Sequence, residues 1–61
     1  MLDLNMDPDI LIGIINMNLR DYYTSLEELE EGLNVNIGTL KKKLHMIGYA
    51  YDKKTNQFKA E

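Results

Sequence analysis

The chain has 61 residues, which is enough for one small domain with a modest hydrophobic core. Hydrophobic residues make up 44% of it and charged residues 28%, a composition typical of folded rather than disordered proteins. The lack of cysteine excludes disulfide bonds, a thiolate nucleophile and a cysteine-built zinc site.

Charge is unevenly distributed along the chain. Residues 1–31 carry a net charge of −7 and residues 32–61 carry +4. This division is consistent with a basic surface for nucleic acid, and equally with two solvated faces or head-to-tail self-association. The longest uncharged run, residues 10–19, is about half the roughly 20 residues that a membrane-spanning helix needs. Because the N-terminus also lacks a basic and apolar leader, we expect a soluble cytoplasmic protein.

The first predicted helix covers about residues 8–22. Asp7 can cap its start, and Pro8 suits the first helical position, where a missing N–H costs nothing. Asn16 and Arg20 are assigned to a solvated side. The predicted inward face comprises Leu11, Ile15, Leu19 and Tyr22, with Ile14 beside them. Further apolar residues lie off that face, so neighbours are expected on more than one side: Ile10, Ile12 and Met17.

The second predicted helix is short and covers about residues 26–32. Ser25 and Glu28 have the spacing of a capping box, in which each side chain accepts a hydrogen bond from a backbone N–H at the helix start. Gly32 is expected to end the helix. The residues predicted to face the core are Leu26 and Leu29.

The third predicted helix covers about residues 37–47. Asn34 tolerates the left-handed backbone expected in the preceding turn, and Asn36 is a good N-cap. Gly48 is placed to end the helix. The predicted inward face has four residues at helical spacing: Ile37, Leu40, Leu44 and Ile47.

A β-hairpin is predicted over about residues 49–59. Alternating residues flank a polar turn, in which Asn56 can take the left-handed position. A lone hairpin is only marginally stable in water, so this one must pack on the helices. Its predicted anchors are Tyr49, Tyr51 and Phe58.

These elements predict a mostly α fold: a three-helix, helix-turn-helix-like bundle with a wing-like C-terminal β-hairpin, in a single domain over residues 1–61. The helix-turn-helix interpretation depends on the short second helix, the tight turn at residues 34–36 and the third helix. The pattern alone does not decide the function, because such units bind DNA in some proteins and protein partners in others.

Nucleic-acid binding is one of two functional hypotheses. The third helix would read base edges, and lysines on it and on the hairpin would touch phosphates. The predicted contacts are Asn36, Gly38, Thr39, Lys41, Lys42, Lys43, Lys53 and Lys54. The net charge of −3 and the lack of arginine in the basic half count against this hypothesis, because DNA-binding domains are usually basic and arginine is the preferred reader of guanine.

The favoured hypothesis is a non-enzymatic interaction domain that contacts a protein partner or a second copy through the first helix. The predicted contact residues are apolar and face outward: Ile10, Ile12, Met17 and Met46. No motif indicates catalysis, a cofactor or a small-molecule ligand. His45 lacks the further ligands that zinc requires, and Asp7 and Ser25 are explained as helix caps.

Several short elements together resemble a known family: Asp7-Pro8, Leu19-Arg20-Asp21, Ser25-Leu26, Ile47-Gly48-Tyr49 and Asn56-Gln57-Phe58. They are similar to a family of short bacterial proteins catalogued as a domain of unknown function, and the likeness extends over about residues 7–59. The resemblance implies a stand-alone bacterial cytoplasmic protein. It brings no known activity, ligand or functional residue.

Overall fold

A computed structural model describes residues 3–61, so residues 1 and 2 of the predicted domain lie outside the described part. The elements in chain order are α1 (Pro8–Asp21), α2 (Leu26–Leu33), α3 (Ile37–Met46), β1 (Tyr49–Asp52) and β2 (Gln57–Ala60). The strands form one antiparallel hairpin, with Tyr51 opposite Phe58. The predicted three helices and C-terminal hairpin are confirmed, whereas the helix-turn-helix likeness stays a prediction.

One cluster of buried side chains joins the three helices to the hairpin through β2. It brings together the inward faces of the three helices, the α2–α3 turn and β2: Leu11, Ile15, Leu19, Leu26, Leu29, Val35, Leu40, Leu44 and Phe58. Burying a side chain of this size contributes about 1.5–3 kcal/mol, so this cluster is the main source of stability. The helical periodicity predicted every one of its α1, α2 and α3 members.

The starts of α1 and α3 are capped as predicted. Asp7 Oδ1 accepts a hydrogen bond from the Asp9 N–H at 2.9 Å. Asn36 Oδ1 accepts one from the Thr39 N–H at 3.0 Å. Each bond satisfies a backbone donor that has no partner within its own helix.

The start of α2 departs from the predicted capping box. Ser25 Oγ accepts from the Glu28 N–H at 3.2 Å, which is the expected half of the motif. The Glu28 carboxylate accepts instead from the backbone N–H and the hydroxyl of Thr24, at 2.9 and 3.0 Å. Because these hydrogen bonds stabilise the ionised form, the pKa of Glu28 lies below its usual value.

Tyr22 does not lie on the inward face, contrary to the prediction. It is 70% exposed and caps the end of α1, whereas Tyr23 packs against the core. The N–H groups of Tyr22 and Tyr23 both donate to the Asn18 carbonyl at 2.9 Å, so the chain leaves its helical path there. The helix ends one residue before Tyr22, so helical spacing wrongly placed Tyr22 on the inward face.

Gly32 does not end α2 as predicted. The helix continues to Leu33 and is capped by Asn34, whose backbone is left-handed at φ 55°. A Cβ atom at position 32 would overlap the Tyr23 ring. The glycine therefore makes room for Tyr23, which the sequence did not place in the core.

Candidate functional site

Side-chain amides fasten the hairpin to α1. Asn16 Nδ2 donates to the Phe58 carbonyl at 3.0 Å, and Asn16 Oδ1 accepts from the Phe58 N–H at 2.7 Å. Gln57 Nε2 donates to the Asn16 carbonyl at 3.0 Å. Asn16 is half-buried, so its predicted place on a solvated side was wrong. The position of Asn16 within its helix could not reveal these hydrogen bonds, because Phe58 lies 42 residues away in the sequence.

The hairpin turn is held against the end of α1 by Asn56. Its side-chain amide donates to the Leu19 and Tyr23 carbonyls, both at 2.9 Å, and its Oδ1 accepts from the Tyr51 hydroxyl at 2.6 Å. Burial raises the pKa of Tyr51 above its ordinary value of 10.0, and the negative charges of Glu27 and Asp52 raise it further. The left-handed backbone of Asn56, at φ 54°, was predicted, but its bonds to α1 were not.

A groove of about 320 Å³ lies between α3 and the hairpin. It is lined by residues from α3, β1 and β2: Lys41, His45, Tyr49, Ala50, Tyr51 and Phe58. The Tyr51 and Phe58 rings are tilted at 57° with centroids 5.5 Å apart, a favourable aromatic contact. His45 Nδ1 donates to a carboxylate oxygen of Glu61 at 2.9 Å. The sequence did not predict this groove, because helical spacing says nothing about where the hairpin lies relative to α3.

The side of α1 opposite the core is an exposed apolar strip. Ile10 and Met17 are 55% and 44% exposed, and Ile14 is half-buried outside the core cluster. Gly13 lies among them with open space where a Cβ would stand. We call Ile10, Gly13, Ile14 and Met17 the outer face of α1. Ile14 was predicted beside the inward stripe and belongs here instead.

The other two predicted dimer contacts lie elsewhere. Ile12 is half-buried and packs against the core, so its predicted place on an outward contact surface is wrong. It precedes Asn16 by one helical turn and therefore lies on the side of α1 that β2 covers. Met46 is 84% exposed at the end of α3, outside the outer face of α1.

The predicted nucleic-acid contacts occupy several separate environments. Lys41 lines the groove beside the hairpin, and Lys43 is half-buried. Lys53 and Lys54 are exposed in the hairpin turn. The remaining candidates are exposed on α3 or at its N-cap: Asn36, Gly38, Thr39 and Lys42.

The N-terminal end of α3 is surrounded by polar groups that are already engaged. Asn36 Oδ1 is committed to the Thr39 N–H, and a Glu30 carboxylate oxygen accepts from the Ile37 N–H at 3.2 Å. Exposed Glu27 and Glu31 on α2 add further negative charge to the preceding helix. A recognition helix presents this end to base edges between phosphates, so these carboxylates oppose such docking.

Neither a metal cluster nor a membrane span occurs in the described part of the chain. Residues 3–61 include no group of three or more His, Cys, Asp or Glu side chains placed to hold a metal ion. The helices among them are too short or too polar to cross a bilayer.

The architecture defines a class of protein: a small three-helix domain whose C-terminal hairpin is fastened to the first helix by side-chain amides. A family model described as Domain of unknown function (DUF4250) matches residues 5–58, so the chain belongs to that family and the resemblance seen in the sequence is confirmed. No curated protein and no solved structure matches the chain. The family description assigns no activity, so a function has to be argued from the surfaces.

Proposed function

We propose that the chain is a non-enzymatic protein-interaction domain that pairs with a second copy of itself through the outer face of α1. The observation that carries this proposal is the apolar strip on the side of the helix opposite the core. Burying apolar surface is favourable by about 25 cal/mol per Å², and Gly13 allows a second helix to approach closely. The two faces of α1 therefore have different roles: one packs against the core of the domain, and the other binds a partner.

Charge complementarity favours a second copy as the occupant. Asp9 and Arg20 are eleven residues apart, about three turns, and so lie along the same side of α1. In a two-fold antiparallel pairing, Asp9 of one copy lies beside Arg20 of the other, and Ile10 lies opposite Met17. Arg20 now pairs with Asp21 at 2.9 Å, but both side chains are exposed, so this ion pair can be exchanged at little cost.

The expected dimer is weak. The 14 residues of α1 extend about 21 Å, and a single helix pair buries less than the roughly 800 Å² per partner of a standard interface. We therefore expect a dissociation constant in the micromolar range or weaker, and the oligomeric state should depend on protein concentration.

Sedimentation equilibrium over micromolar to millimolar concentrations tests the pairing. Met17→Lys places a charge on the outer face and should give a monomer with an unchanged circular dichroism spectrum. Met46→Lys is the matched control, because Met46 is more exposed but lies on α3. A wild type that stays monomeric over the whole range would refute the proposal, as would a dimer lost in Met46→Lys but kept in Met17→Lys.

A charge reversal tests the antiparallel arrangement. Arg20→Asp should weaken the dimer about two- to thirtyfold, because a two-fold dimer loses two exposed Asp9–Arg20 ion pairs of about 0.2–1 kcal/mol each. Combining it with Asp9→Arg restores complementary charges across the two-fold axis and should recover affinity. If the double variant is as weak as the single one, the two helices do not pair antiparallel.

Nucleic-acid binding by α3 and the hairpin is the second proposal, supported by the exposed Lys42, Lys53 and Lys54. An amide chemical-shift titration with mixed-sequence duplex DNA, at low and then higher salt, tests it. Shifts on α3 and the hairpin turn that fade with salt would support binding, and Lys42→Glu should then reduce both affinity and its salt dependence. The lack of any shift at low salt would exclude it.

A further inference from the structure

The two outer edges of the hairpin differ in how they are covered. At the outer edge of β2, both the N–H and the C=O of Phe58 are bonded to the Asn16 side chain. A side chain of α1 thus takes the place that a third strand would occupy. The groove is bounded mainly by β1 and α3, and Phe58 of β2 also lines it.

The strand register shows which backbone groups of β1 point outward. Opposite residues of an antiparallel pair alternate between bonding to each other and pointing both backbone groups away. Phe58 points away from β1, so its partner Tyr51 points away from β2. Tyr49 has the same orientation two residues earlier. The Glu61 N–H donating to the Gly48 carbonyl at 2.7 Å fits this alternation, since those residues belong to the other set.

The outward groups of Tyr49 and Tyr51 have no hydrogen-bond partner among residues 3–61, either backbone or side chain. The groove is lined by three consecutive residues, Tyr49, Ala50 and Tyr51. Side chains alternate between the two faces of a strand, so a groove that touches all three runs along the strand edge. Free backbone donors and acceptors therefore lie beside an aromatic surface.

Lys41 gives the groove a cation with which an acidic occupant can pair. Lys41 lines it from α3, and no carboxylate among residues 3–61 lies within 4 Å of its ammonium group. His45 stands one turn further along and already donates to Glu61. A carboxylate that enters from solvent would thus find one cation without an ion-pair partner among residues 3–61, on the α3 side of the groove.

We propose that this groove binds an extended, carboxylate-bearing peptide segment, which adds to the hairpin as a third strand along β1. Main-chain hydrogen bonds to Tyr49 and Tyr51 provide affinity for any extended backbone. Contact with the aromatic wall and a charge pair with Lys41 select apolar and acidic side chains in alternation. This surface is separate from the outer face of α1, so each proposal can fail without the other.

The test uses a blocked pentapeptide of alternating valine and glutamate as the probe. In an amide hydrogen-exchange experiment, the bound peptide should slow exchange at Tyr49 and Tyr51 several-fold. Ala50 is the internal control, because its N–H already faces β2. The same peptide with every backbone amide N-methylated keeps its charge but cannot donate, and it should lose most of the affinity.

Lys41→Gln and Lys42→Gln form a matched pair that tests the charge. Both lysines are exposed on α3, but only Lys41 lines the groove. Lys41→Gln should weaken peptide binding about two- to fivefold, and Lys42→Gln should leave it unchanged. The strand-addition proposal is overturned if exchange at Tyr49 and Tyr51 is unaffected, if the N-methylated peptide binds equally well, or if both variants weaken binding alike. Equal affinity for 2-naphthoate would also overturn it, by showing a small-molecule pocket instead.

Discussion

Asn16→Ala should detach the hairpin from α1 and destabilise the whole domain. The substitution removes both hydrogen bonds to Phe58 and leaves that residue's N–H and C=O without partners. It keeps the helical backbone intact, since alanine is the best helix former. The bond from Gln57 to the Asn16 carbonyl also survives, because it uses the main chain.

The expected loss follows from the number of bonds. Each net hydrogen bond contributes about 1 kcal/mol, and an unsatisfied buried group adds to the cost, so we expect a loss of about 2–3 kcal/mol. A domain of this length has a free energy of unfolding of only about 3–9 kcal/mol. The change therefore removes at least about a fifth of the total and should lower Tm by about 10–20 °C.

Urea unfolding followed by circular dichroism measures the effect, with Asn18→Ala as the control. Asn18 is on the same helix, but its side chain donates only to the Ile14 carbonyl one turn earlier, at 2.8 Å. Asn18→Ala should therefore change stability by less than about 0.5 kcal/mol. Equal losses in the two variants would refute the role of Asn16 in holding the hairpin.

Three further predictions concern the other corrected or newly found contacts. Asn56→Ala should be about 1 kcal/mol less stable than Asn56→Gly, because only alanine is strained at φ 54°. Both variants should melt well below wild type because they lose the hydrogen bonds to α1, and equal Tm values for the two variants would contradict the role of the left-handed backbone. Gly32→Ala should destabilise by about 1–3 kcal/mol through overlap with Tyr23, and the same change should become stabilising in a Tyr23→Ala background. The pKa values of Glu28 and Asp52 are lowered in the folded protein, so both carboxylates stabilise the fold when the pH is above their ordinary pKa values of 4.5 and 3.8. This stability is lost as the pH falls through the lowered pKa values. Urea midpoints measured from neutral to acidic pH should therefore decline below that range, and less steeply in Glu28→Gln; an identical decline would exclude Glu28 as a cause.

The sequence by itself determined the helices, the N-caps of α1 and α3 and the hairpin, because each depends on residues close together in the chain. The bond from the Thr39 N–H to Asn36 spans three residues, and the inward face of α3 follows from helical spacing alone. The left-handed positions at Asn34 and Asn56 likewise reflect what one residue type tolerates. The observed bounds accordingly differ from the predicted ones by no more than one residue.

Tertiary structure alone decided which side chains meet across elements. The sequence assigned Asn16 to solvent and Ile12 to an outward surface, because helical spacing cannot show that β2 covers that side of α1. The same limit hid the groove between α3 and β1, whose walls come together only when the hairpin folds back. Local periodicity specifies a direction around one helix axis, whereas burial also depends on neighbours that are distant in the chain. The candidate surfaces of this protein depend on those distant neighbours, so they became visible only in the folded domain.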